Sequence, residues 1–300
     1  MSGTRQPPND ARGGFRDRRA LAAIASAVIA AVLGVGQLWF GHAVGVLAWR
    51  GNASITGTLD EAAVVIWLTA AAVSLGAAAP MLIVRTRLSV RRRLTHIALA
   101  MFGACLTAPV ATAIAAWSQM YGGDLSQLRI TRLVAYGVVL GGLAAWVSVQ
   151  SQPAAWSLLY WIAMGWILMW GSVSVAPNIS PILGHLDPGP EWSVASRQWQ
   201  ARMVLIAIAM VLGVAVGAAA RLLGWWRNRR GLSGQVTRLT SPATGPGLML
   251  AAYLVAAAMD SQIRLDAVVN LATAVLVAAA SACLGVALAR HVTLTHARLS

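Results

Sequence analysis

The sequence predicts an all-α fold: a polytopic membrane helix bundle of about eight transmembrane helices, with both termini cytoplasmic. Three observations lead there: long stretches rich in Ala, Val and Leu, a scarcity of charge, and arginines gathered in alternate connecting loops. Of 300 residues, 58% are hydrophobic and 11% charged, where a soluble domain carries about 25% charged residues. Crossing the roughly 30 Å hydrocarbon core takes about 20 mostly apolar helical residues. Continuous apolar runs favour helices, because a membrane barrel alternates apolar and polar residues in segments of about ten. A helix also satisfies its own backbone hydrogen bonds where lipid offers none.

The first span, 20–42, follows a basic tail, 1–19, in which Pro7-Pro8, Gly13-Gly14 and the absence of apolar periodicity predict disorder. Arg18-Arg19 imitates a secretory or twin-arginine signal, but a signal's apolar region is about 7–15 residues long. Here the apolar run continues from Leu21 past Phe40, so it reads as an uncleaved first helix. The second and third spans, 62–84 and 96–117, flank a loop containing Arg85, Arg87, Arg91, Arg92 and Arg93. The fourth and fifth, 132–150 and 154–176, are joined by Ser151-Gln152-Pro153, which makes them antiparallel neighbours. On the fifth, Trp156, Tyr160, Trp166 and Trp170 fall within about 120° of helical projection. A lipid-facing or packing surface is the favoured reading of that stripe, ahead of an apolar substrate path.

After the sixth span, 203–226, the seventh, 245–262, is unusual. Counting from Pro246, only 13 residues, Gly247 to Met259, precede Asp260. A full span must draw in the polar Ser241–Gly245 stretch or carry Asp260 below the interface. The eighth span, 268–289, leads to a short cytoplasmic tail, 291–300, so that 20–290 form one membrane domain. Spacings of the small-xxx-small kind at Gly41/Gly45, Gly137/Gly141 and Gly213/Gly217 are candidates for close helix approach. Cys105 and Cys283 belong to no CxxC pair and read as small buried packing residues.

Arginine sets the orientation, the chain having no lysine: 17 arginines fall on the side of the N-terminus and six on the other. Acidic residues divide the opposite way, Asp10 and Asp17 against Asp60, Glu61, Asp124, Asp187, Glu191, Asp260 and Asp266. Positive charge marks the cytoplasmic side of short loops, so the expected location is the plasma membrane with both ends inside. The formal net charge of +14 therefore reports topology rather than nucleic-acid binding, which needs a basic face on a suitable fold. Arg91, Arg92 and Arg93 are read as a contact for anionic lipid headgroups, each worth about 1 kcal/mol near the surface.

The candidate functional residues lie around the last connection. Tyr253 and Asp260 are seven apart on one face of the seventh span, Arg264 follows, and Asp266, Asn270, Thr273 and Ser281 share a face of the eighth. Polar stripes on adjacent helices would face each other, and ionisable groups at membrane depth often mark an ion, proton or solute route. The plainer reading is an Asp260/Arg264 ion pair at helical spacing in a wet turn, with the other side chains bonding between helices.

In the longest outer loop, 177–201, His185, Asp187 and Glu191 match no established zinc or calcium spacing. A proline-stiffened cap with tryptophans on the interface is the favoured reading, and no metal or cofactor is expected. Aspartate-rich clusters for magnesium and pyrophosphate, facing histidines for haem, and Gly-x-Ser-x-Gly or His-Glu-x-x-His arrangements are all missing from the sequence. Cytoplasmic loops are too short for a nucleotide-binding domain, so coupling to ATP would require another subunit. The expectation is a permease-like or small-molecule transport protein, or the membrane subunit of a larger assembly. A structural or accessory membrane protein is the alternative, and an outer-face enzyme a third.

The arginine split makes a direct prediction. Single cysteines introduced at Ser89 and Ser193, in a background without the native pair, should react oppositely with an impermeant thiol reagent on intact cells. Ser193→Cys should label and Ser89→Cys should not; the reverse pattern would overturn the orientation.

Overall fold

The computed structural model describes residues 10–47, 55–84, 89–119, 127–175, 194–222, 232–260 and 265–299. These residues form nine helices and no strand: α1 (Asp10–Ala43), α2 (Ile55–Val84), α3 (Val90–Cys105), α4 (Thr107–Gln119), α5 (Gln127–Ser148), α6 (Gln152–Val175), α7 (Val194–Leu222), α8 (Leu232–Asp260) and α9 (Leu265–Leu299). Eight stretches are long and apolar enough to cross a membrane, the third being α3 and α4 together. The architecture is that of a multi-pass membrane protein.

The third span was expected as one uninterrupted helix, but it turns at Leu106. Pro109 has no N–H to give the Cys105 carbonyl, and its ring crowds the same group. One tight turn accommodates this: the Leu106 N–H donates to Gly103 O at 3.1 Å, and the Thr107 hydroxyl donates to Ala104 O. At the chain ends, α1 starts at Asp10 and α9 runs to Leu299, so both helices reach into segments read as tails. Extending an existing helix adds a hydrogen bond per residue without a new nucleus.

α2 is enclosed by protein. Every residue from Glu61 to Pro80 is buried, whereas the other spans bury from about a fifth to just over half of theirs. α1, α3, α5, α6 and α8 pack around it, while α7 and α9 form a pair joined to the rest chiefly through α8. Alternate spans run parallel side by side: α1 with α3 and α2 with α5, then α6 with α8 and α7 with α9. The first four spans and the last four are nevertheless not equivalent. α7 occupies the place of α2 in the second half, yet it carries the exposed Met203, Met210 and Val211.

Small residues make these approaches possible. A Cβ on Gly137 would stand 2.7 Å from Thr69 Cβ, and one on Gly141 the same 2.7 Å from the Ala70 carbonyl oxygen. Gly213 and Gly217 of α7 likewise abut Ala278, Ser281 and Ala282 of α9, and Gly285 of α9 abuts Val214. Two of the three small-residue spacings thus join helices. The third does not, because Gly45 lies past the end of α1 in a turn at φ 80°. The cysteines also depart from expectation: Cys105 and Cys283 are exposed. Each sits on the outward face of its span, where a small, weakly polar thiol meets lipid at little cost.

Gly141→Ala and Gly217→Ala should each destabilise the protein by about 1–3 kcal/mol through overpacking. Gly36, with nothing within 4 Å of its missing Cβ, is the control, and Gly36→Ala should gain about 0.5–1 kcal/mol from helix propensity. Thermal unfolding in detergent checks this; equal behaviour of Gly36→Ala and Gly217→Ala would contradict the packing described.

Candidate functional site

The seventh span lies within α8, which runs through both the polar Ser241–Gly245 stretch and Asp260. Its apolar window is Ser241–Met259, so it draws in the polar stretch and leaves Asp260 as the last residue of α8. This puts Pro242 and Pro246 inside a helix. Pro246 has no N–H for the Pro242 carbonyl, and an unmet carbonyl is costly in an apolar bundle. Ser157 of α6 supplies the donor. Its hydroxyl donates to Pro242 O at 2.7 Å and accepts the Gly245 N–H at 3.3 Å. Nearer the helix starts, the Ser151 and Ser241 hydroxyls are 2.8 Å apart and join the same two helices.

Gly245 lets the helices come this close. A Cβ there would meet Cβ, Cγ and Cδ1 of Trp161, whose indole is wholly buried against the α8 backbone. Trp161 Nε1, next to that Cδ1, has no hydrogen-bond partner. The α6/α8 seam therefore presents hydroxyls and an indole N–H beside an interrupted helix. Nothing in the aromatic-rich fifth span singles out Ser157 or Trp161. The proline pair was the one available signal, since each proline leaves a carbonyl that must find a donor elsewhere.

Among the candidate path residues, Tyr253 is fully buried on α8. Asn270 is 4% exposed and accepts from Arg202 Nε of α7 at 2.8 Å. Ser281 lies against Gly213 of α7 and donates to its own helix at Val277 O, as Thr273 does to Val269 O. The face of α9 that carries Asn270 and Ser281 is thus turned to α7 rather than to α8. Glycines at 213 and 217 draw α7 onto that face, and its small residues accept them. Asp260 ends α8 and Asp266 lies in the first turn of α9. Their side chains and Arg264 lie outside the described residues.

The remaining candidates separate clearly. Trp156 and Trp170 are exposed, and Trp166 packs edge-on against Phe40 of α1 with centroids 5.2 Å apart. The aromatic stripe therefore faces outward or packs, while Trp161, on another face, is the internal tryptophan. His96 of α3 is buried with its Nδ1 2.9 Å from Ser26 Oγ of α1. Arg91 and Arg92 are exposed at the start of α3 and Arg93 is half-buried. His185, Asp187 and Glu191 lie outside the described residues. Among the described residues no group of three His, Cys, Asp or Glu could hold a metal ion. Comparison with known protein families, with curated proteins and with solved structures finds no match for this chain.

Ser157→Ala should destabilise the protein by about 1–3 kcal/mol, the cost of leaving buried backbone groups unmet. Pro246→Ala in the same background returns an N–H to the Pro242 carbonyl and should recover part of the loss. Thermal unfolding of the two variants and the double variant measures this; Ser157→Ala at wild-type stability would show that the serine does not serve the interrupted helix.

Proposed function

We propose that the chain is a permease-like protein of the plasma membrane, its termini cytoplasmic, acting alone or as the membrane subunit of an assembly. The observation that carries this reading is the interrupted α8, whose polar Ser241–Gly245 stretch lies in the bundle and borrows hydrogen bonds from α6. Gly/Pro-containing membrane helices are one pointer to a transport site, because their freed backbone groups can line a path. On α8, Pro246, Tyr253 and Asp260 follow at two-turn intervals, so one face leads from the interruption to the acidic end. That face, rather than a cleft between α8 and α9, is where a small solute or proton would move.

The α7/α9 seam favours a second reading, in which the protein organises partners or lipid without moving a solute. Asn270 is engaged by Arg202, and Thr273 and Ser281 are satisfied within α9, as packing residues would be. Contact with anionic headgroups fits either reading and is supported by the exposed Arg91 and Arg92 at the end of a span.

Asp260→Asn is the discriminating variant, with Asp60→Asn as its control at another helix entrance. In proteoliposomes loaded with a pH-sensitive dye, and in growth and uptake assays of cells, Asp260→Asn should reduce flux severalfold. Asp60→Asn should leave it unchanged, and both proteins should insert normally. If both variants behave as wild type in all these assays, the transport reading fails and the accessory one stands.

A further inference from the structure

Two buried polar atoms outside α8, one on α1 and one on α2, have no partner among the described residues. Thr69 of α2 is wholly buried, and its hydroxyl makes no hydrogen bond. That is unusual even within this chain. Ser74, Thr131, Thr273 and Ser281 each donate to the carbonyl four residues earlier, the local bond open to any helical hydroxyl. Gln37 of α1 also has its Oε1 buried and unpartnered. A buried polar atom without a partner is costly enough that native chains almost always supply protein or water.

The register of α1 against α2 sets these two residues opposite each other. The helices are antiparallel, and Gly76 of α2 abuts Ser26 and Ala30 of α1. One turn on, Gly34 of α1 meets Thr107 of α4 and, beyond it, Ala72 of α2. Seven residues beyond Ala30 stands Gln37, and seven before Gly76 stands Thr69. Seven residues return a helix to within about 20° of the same face. The faces that meet at Ala30 and Gly76 therefore carry Gln37 and Thr69 into the same seam one repeat further on, each with an unpartnered oxygen. On its other side Thr69 abuts Gly137 of α5.

We propose that Gln37 and Thr69 form a small uncharged binding site in the α1/α2 seam for one hydroxyl group. That hydroxyl donates to Gln37 Oε1 and accepts from the Thr69 hydroxyl; it belongs to a water molecule or to a small polyol. No charge is required or offered, and the site is independent of the α8 reading.

A double-mutant cycle on the purified full chain in detergent tests the site by thermal unfolding. Thr69→Val keeps shape and removes the hydroxyl, and Gln37→Met keeps length and removes the amide. Each single change should lower Tm by about 2–4 °C, and the double variant should fall no further than the worse single. A rise in Tm for Thr69→Val, or additive effects in the double variant, would overturn the proposal, since an empty site gains by losing its orphaned atoms. If Thr69→Val does not accumulate, Thr69→Ser replaces it. Because serine keeps the hydroxyl, Gln37→Met should cost as much on Thr69→Ser as on wild type, and no cost on either would overturn the site. Added glycerol identifies the source: a larger rise in Tm for wild type than for Gln37→Met marks a polyol site, and equal rises mark bound water.

Discussion

Close approach of small residues is the constraint on which this bundle depends. Lipid tails are as apolar as the side chains they meet, so helices in a membrane associate through packing and hydrogen bonds rather than hydrophobic burial. A helix enclosed on every side makes the strictest demand, because each neighbour must come near its backbone. α2 meets it with alanines at 62, 63, 70, 71, 72, 77, 78 and 79 and with Gly76, all buried. Its neighbours contribute Ala30 of α1, Gly137 and Gly141 of α5, and Gly165 of α6, the last set against Trp67. The α7/α9 pair repeats the device with Gly213, Gly217 and Gly285.

Polar side chains then do in this interior what water does elsewhere. Ser74 donates to Ala70 O and reaches the Gly141 carbonyl at 3.2 Å, Ser148 reaches the Ser74 carbonyl, and Ser157 stands in for the N–H missing at Pro246. Helix breakers are tolerated in membrane helices when neighbours satisfy the freed groups in this way. α8 thereby keeps two prolines inside one helix whose polar start is held by α6, and for that reason the functional proposal centres on it.

The spans were readable in the sequence because length and apolarity are local properties, and all eight appear as helices. What depends on neighbours was not. The enclosed α2 is no more apolar than the lipid-facing α7, so composition does not reveal which helix sits at the centre. Pro109 was visible, but the turn it causes at Leu106 also needed Thr107 to serve a local carbonyl. Of the residues expected on the polar face of α9, Asn270 and Ser281 lie against α7, which Gly213 and Gly217 bring close, a contact that no spacing within α9 reveals. Ser157 acquires its role only when α6 meets the carbonyl of Pro242, a contact no spacing encodes. Cys105 and Cys283 show the reverse error, a small residue assumed to be packed because it was central in its span.

Enclosure of α2 is the central claim, and thiol accessibility around its circumference tests it most directly. Ala62, Ala63, Ala71 and Ala72, buried in the fold, point in four directions about 80–100° apart. Each would be changed singly to Cys in a background without Cys105 and Cys283, with Ala98→Cys on the exposed face of α3 as the reactive standard. With a maleimide that partitions into the detergent micelle, all four should react far more slowly than Ala98→Cys until the protein is unfolded. A rate matching that standard at any one of the four, in protein shown to be folded, would mean that α2 has a lipid-facing side and that the enclosed-helix account is wrong.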